Sequence, residues 1–258
     1  MLQEKHGDIT LFRFETLVGH ARLAHAVASC SYNYAPHRGA GREQAIPARQ
    51  RVCELLGVSF DHLTSPAQVM AGEVLDVGSE DIGRGRDGRE SAVPFVDGLI
   101  CDRVDVPLIL LSADCPLICV YDPDKPAIGA VHASWQGTCA HAATNLIAQM
   151  SRYFGSDPAK LQAGIAPCAG PCCYEVGDEV RRIAESKLDN AEQCLIQRNG
   201  RWMFDLWAAN RHQLSQAGLV PDRIEQAGIC SICDDRFFSH RRQGVDAGRT
   251  ALFIALRA

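Results

Sequence analysis

The 258 residues predict one mixed α/β domain spanning 1–258, and three observations carry that expectation. Residues 106–112, 117–121 and 127–131 are nearly continuous apolar runs of strand length, the pattern of strands buried on both faces. Directly after them, 137–153 has the spacing of an amphipathic helix, with Leu146, Ile147 and Met150 on one face. No repeat, low-complexity tract or Pro-rich linker divides the chain.

The remaining elements follow in order. Residues 8–14 alternate apolar and polar as a half-buried strand does, and 23–31 reads as a second strand. YNYAPHRGAGREQ, 32–44, concentrates Gly, Pro and charge as a loop, after which Ala45–Leu56 is helical and stops at Gly57. Residues 69–77 read as a strand. The segment 78–94 is a loop long enough to suggest function or mobility. Between two apolar runs, the aspartates and Pro123 of DPDK, 122–125, supply turn chemistry. Helical spacing returns at 177–186 and Leu206–Gln216, the latter closed by Gly218, and 252–256 reads as a closing strand.

Composition removes several function classes. Hydrophobic residues make up 47% and charged residues 22%, outside the range of disordered or fibrous chains. With 26 Lys and Arg against 31 Asp and Glu, the net charge of -5 offers no footprint for a nucleic-acid backbone. No signal peptide and no apolar run of about 18 residues is present, so no membrane association and a cytoplasmic location are expected. Twelve cysteines in such a chain are expected to be buried free thiols.

Two motifs are weaker than their patterns. GRGRDG, 83–88, matches G-x-G-x-x-G but leads through Arg89, Glu90 and Ser91 to Pro94, with no helix to receive a pyrophosphate; a solvated loop is the better reading. CSIC, 230–233, has zinc or redox spacing. Cys172 and Cys173 are not read as its missing second pair, which leaves two thiols in a buried turn. No G-x-S-x-G, Walker or H-E-x-x-H motif occurs.

The stronger signal lies at strand ends. SADCPL, 112–117, puts Asp114 and Cys115 between two buried strands, and AVHASWQG, 130–137, ends a third strand on His132. A thiol and an imidazole from adjacent strands converge either as a nucleophile pair or as two metal ligands, with Asp114 or a neighbour orienting the ring.

With these strings, FVDGLICD, LLSADCPLICVYDP, AVHASWQG, IAPCAGPCCYEVG, FDLWAANRHQL, CSICDDRFFSHRRQG and GRTALFIAL, the chain resembles the YfiH-like family, also called the laccase-domain or polyphenol oxidase family. The likeness runs from Phe95 to Leu256; before it, only Arg49 and 55–58 match, and the family's Gly-Gly-Val-Ser loop is absent. The resemblance implies layered sheets flanked by helices and a purine nucleoside phosphorylase that cleaves adenosine, inosine or methylthioadenosine with phosphate, with adenosine deamination as a companion activity. It also implies one zinc, held by His, Cys and His. Cys115 and His132 carry over as ligands; the third position, in AQVMAG, is Met70, and Gln136 replaces a family Arg. A thioether suits Cu(I) better than zinc, so zinc is expected to be absent or loosely held. Loss of the Arg removes a bidentate cation, so phosphorolysis is expected to weaken unless His37, His62, His141 or a loop arginine substitutes.

The leading expectation is therefore purine nucleoside phosphorolysis, with Cys115, His132 and Asp114 catalytic and Arg49, Gln136, Arg241 and Arg242 contacting nucleoside and phosphate. The alternatives are a metal-independent Cys/His hydrolase and a catalytically silent relative that binds a nucleotide or protein. Copper-dependent phenol oxidation ranks below them, because a multicopper site needs more clustered histidines. Oligomeric state and the preferred nucleoside stay open.

Overall fold

A computed structural model describes residues 1–258. In chain order the strands and helices begin with Leu2–His6 (β1), Ile9–Arg13 (β2), Leu23–Ala28 (β3), Ala45–Leu56 (α1), Val74–Asp76 (β4), Gly98–Cys101 (β5) and Leu108–Ser112 (β6). The middle of the chain supplies Leu117–Asp122 (β7), Ala127–His132 (β8), Trp135–Cys139 (α2), Ala142–Phe154 (α3), Gln162–Ile165 (β9) and Glu175–Val176 (β10). Asp178–Lys187 (α4), Ala191–Cys194 (α5), Leu195–Arg198 (β11), Arg201–Phe204 (β12), Leu206–Gln216 (α6), Ile224–Gln226 (β13), His240–Gln243 (α7) and Thr250–Leu256 (β14) complete it.

Two sheets lie face to face. The first is antiparallel in the order β1-β2-β3-β14-β6; the second, β13-β9-β7-β8-β5-β4, is antiparallel except at its two edges, where β13 and β4 run parallel to their neighbours. A small sheet, β10-β12-β11, stands apart from both.

The period of two in strand geometry explains the continuous apolar runs. In β6, Leu108 and Leu110 face the core between the sheets, while Ile109 and Leu111 face α1. In β7, Leu117, Cys119 and Tyr121 face that same inter-sheet core, and Ile118 and Val120 face α3 and α6. Every position is covered, giving four layers: helix, sheet, sheet, helices. The expected layered sheets flanked by helices are thus present, and 23 buried residues form the central layer.

Local departures have local causes. The strand read at 69–77 shrinks to Val74–Asp76, because Gln68, Met70 and Gly72 take φ of 55°, 66° and 76°, which extended chain cannot hold. The helix read at 137–153 is two helices. Ser134 caps the first by accepting the Gly137 N–H at 3.0 Å, and His141 at φ 60° breaks it before Ala142. The DPDK turn forms as expected, Asp122 Oδ1 accepting the N–H groups of Asp124 and Lys125. No helix is long and apolar enough to cross a membrane.

Candidate active site

Strand register brings the thiol and imidazole together. β7 pairs with β8 so that Leu117 stands opposite His132, which places Cys115, two residues before Leu117, beside the end of β8. The β6–β7 turn is fixed by the Ser112 hydroxyl, which donates to the Cys115 carbonyl at 2.7 Å. His132 is 7% exposed, and its Nδ1 stands 3.6 Å from Asp97 Oδ1 with no closer partner.

Asp97 is fully buried and held by three backbone amides: Met70 and Ala71 donate at 2.6 Å and Gly72 at 2.9 Å. The left-handed residues that end the expected strand turn these amides inward, so the 68–72 loop is a cradle for one carboxylate. Burial pushes the Asp97 carboxyl up, but His132 and the amides of Met70 and Gly72 prevail and hold it below its ordinary value. For His132 burial pulls down; the opposing charge of Cys115 and the pairing with Asp97 outweigh it and raise the imidazole to about 9.

Asp114 does not orient the imidazole. Its backbone adopts φ 91°, and its carboxylate accepts from the Ser231 hydroxyl and the Arg241 N–H, each at 2.7 Å, so it ties the Cys115 turn to the 230–242 segment. The carboxylate beside the His132 ring is Asp97, the neighbour rather than Asp114; its position immediately before the apolar run of β5 is the available signal.

The arginines divide differently from expectation. Arg49 is 1% exposed, and its Nε and Nη1 donate to the carbonyls of Tyr34, Gly85 and Arg86, clamping the 83–88 loop to α1. Arg242 donates to the carbonyls of Ser231, Ile232, Asp234 and Phe237. Both guanidinium groups are engaged in holding backbone. Arg241 lies over the Tyr174 ring at 5.2 Å and donates to the Glu175 carbonyl. Gln136, half-buried in the first turn of α2, sits four residues beyond His132.

The other substitutes are mostly spent. His62 pairs with the Asp105 carbonyl, His141 occupies the helix break, and Arg84 and Arg86 in GRGRDG pair with Asp81 and with Asp61 and Asp87. A cationic neighbourhood remains around His37, and it includes Arg249, which the sequence pattern does not single out. Burial lowers the His37 imidazole, and so do Arg49, Arg89 and Arg38 around it. Arg249 has only Nη1 engaged, on the Ala247 and Gly248 carbonyls; burial and then neighbouring Arg38 lower its guanidinium, and Asp114 opposes them. Its signal was the GRT string, set apart from Cys115 by more than a hundred residues of sequence.

The family model described as multi-copper polyphenol oxidoreductase laccase matches residues 23–257. The chain belongs to that family. Purine nucleoside phosphorylase YlmD of Geobacillus stearothermophilus is 33% identical over 231 residues, covering 88% of this chain and 84% of that protein. An adenosine deaminase RL5 from an unknown prokaryotic organism is 30% identical over 80% of each chain. The crystal structure of YlmD from Geobacillus stearothermophilus superposes with a TM-score of 0.90 at 29% identity, covering 99% of this chain and 98% of that one.

Within this laccase family the metal expected at Cys115 and His132 fits poorly here. Met70 is 48% exposed and offers a thioether where a third nitrogen or thiolate ligand is needed. Nor do the nine histidines assemble a copper centre: among His, Cys, Asp and Glu side chains, only Cys172, Cys173, Cys230 and Cys233 bring three or more ligand atoms within 4.8 Å. That cluster overturns the reading of CSIC as a pair without a partner. Folding of the 172–173 and 230–233 turns onto one another supplies the second pair, which sequence spacing did not reveal.

Proposed function

We propose that this protein cleaves purine nucleosides with phosphate, and that Cys115, His132 and Asp97 form its reacting centre. The observation that carries the reading is the buried His132 imidazole held between a carboxylate and a thiol at a strand end, in a chain that aligns with phosphorylases over most of both lengths. A phosphate oxygen attacks the anomeric carbon as the bond to the base nitrogen breaks, and the electron pair leaves with the base. His132 supplies the proton the departing base takes up, and Asp97 holds the imidazole and its charge in place. Arg249 and Arg38 hold the phosphate, taking over the charge that Gln136 lacks. Gln136 donates a neutral hydrogen bond to the substrate. No step passes through a metal at this centre. The eight cysteines outside the 172–173 and 230–233 turns, unpaired, suit the cytoplasm, where nucleoside and phosphate are both available.

The deciding measurement is release of free base and pentose 1-phosphate from adenosine and inosine, with and without phosphate, for the unaltered protein, Cys115→Ala, His132→Ala and Arg249→Ala. Phosphate-dependent base release that falls at least a hundredfold in the His132 variant is expected. No base release from any purine nucleoside would overturn the proposal. A second reading, a Cys115 hydrolase with His132 as its partner, is favoured by the pairing of thiol and imidazole where no three-donor metal set exists. Turnover independent of phosphate, with water or deamination replacing phosphorolysis, would select it.

A further inference from the structure

The four clustered cysteines have no part in the reaction proposed above. Two turns bring them together. In one, the Cys173 and Tyr174 N–H groups donate to the Gly170 carbonyl; in the other, the Cys233 and Asp234 N–H groups donate to the Cys230 carbonyl. Backbone joins the turns directly, through the Ser231 N–H on the Cys168 carbonyl at 2.9 Å and a β-bridge between Cys168 and Cys230. Close approach depends on Gly170, where a Cβ would meet the Trp207 ring at 2.8 Å and the Cys230 Cβ at 3.1 Å.

The sulfurs have the spacing of a metal shell. Cys233 Sγ lies 3.6 Å from Cys172 Sγ and 3.1 Å from Cys173 Sγ, and all four sulfurs fall within 4.8 Å of one another. Four thiolates at about 2.3 Å from one zinc stand roughly 3.8 Å apart, so the space admits one ion and no larger cluster. Backbone also reaches the cluster directly. The Gly170 N–H donates to Cys230 Sγ at 3.3 Å, and the Arg242 guanidinium is seated on carbonyls of the same turn.

We infer that Cys172, Cys173, Cys230 and Cys233 form a structural tetrathiolate site for a single zinc ion, distinct from the Cys115 and His132 centre. Binding releases four thiol protons and leaves four sulfur bonds to the ion, with no change of oxidation state. The ion clips turns about sixty residues apart in sequence, closing a loop whose ordering is otherwise entropically costly. It thereby fixes Ser231, whose hydroxyl holds Asp114 beside Cys115.

Elemental analysis of the full chain, purified under reducing conditions, tests the site with Cys115→Ala, Cys173→Ser and Cys233→Ser beside the unaltered protein. One zinc per chain is expected in the unaltered protein and in Cys115→Ala, with at least a tenfold loss in the two other variants. Metal lost in Cys115→Ala but kept in Cys233→Ser overturns the inference, as does metal-free protein with four free thiols or with a disulfide among these cysteines. Because a cysteine variant can fail to fold, zinc-edge X-ray absorption on the unaltered protein decides independently. Four sulfur neighbours at about 2.3 Å support the site, and a shell containing nitrogen or oxygen sinks it.

Discussion

Asp97 has two sets of neighbours for one carboxylate: it fastens the 68–72 loop through three amides and stands 3.6 Å from the His132 imidazole. Asp97→Asn keeps an oxygen acceptor but loses the charge and one acceptor position. We expect a stability loss of about 1–3 kcal/mol by denaturant titration. The imidazole of that variant holds its proton less tightly than the value of about 9 reached in the intact site, so the alkaline limb of its kcat/KM profile moves to lower pH. An unshifted limb would separate His132 from proton donation.

His25 makes the opposite argument. Burial drives its imidazole down from 6.5 to about 3, with the Arg13 charge adding to the effect, and its Nε2 accepts the Phe14 N–H at 3.0 Å only while neutral. The unfolded chain takes up this proton before the folded one does, so stability is full above pH 6.5 and declines as pH falls through the window toward 3. His25→Gln preserves an acceptor without the titration, and we expect its acid unfolding midpoint to move to lower pH. A difference in unfolding free energy that stays constant across that window would show His25 to be silent.

Among elements, the joints between layers are the sensitive places. A Cβ at Gly164 in β9 would lie 2.5–2.6 Å from three atoms of the Phe14 ring, which is itself stacked on His25. Gly164→Ala is expected to cost about 1–3 kcal/mol and lower Tm by several degrees, because a ring wedged between two sheets has nowhere to retreat. His141→Gly should do the reverse at the α2–α3 break, relieving a left-handed residue by up to about 1 kcal/mol while leaving turnover within twofold. A large fall in turnover would restore His141 as a functional residue.

The same elements show where local sequence stops speaking. Apolar runs at β6, β7 and β8 announced strands because both faces of each are buried, and Gly57 announced the end of α1. The hairpin of β11 and β12 is missing from the sequence reading although Asn199–Gly200 between them is a turn signal, because two four-residue, half-exposed strands carry little periodicity. Cys115 and His132 were legible because each terminates a strong strand signal. Asp97, Arg249 and the second thiol pair were not: their meaning lies in register and loop docking, which join residues far apart in sequence.

At the scale of the molecule, β14 lies between β3 and β6, with all seven residues buried. Its partners precede it by more than two hundred residues on one side and well over one hundred on the other. Such pairing has high contact order, so refolding from denaturant is expected on the slow side of the millisecond-to-second range, read by stopped-flow fluorescence. A chain emerging from the ribosome makes every other strand of that sheet first. Until residues 250–256 arrive, β3 and β6 present two bare ladders of N–H and C=O groups beside a half-built apolar layer, the condition under which chains pair with each other instead. Production of this protein therefore passes through a vulnerable interval set by the order of synthesis, and holdase chaperones should matter to its yield more than its final stability does.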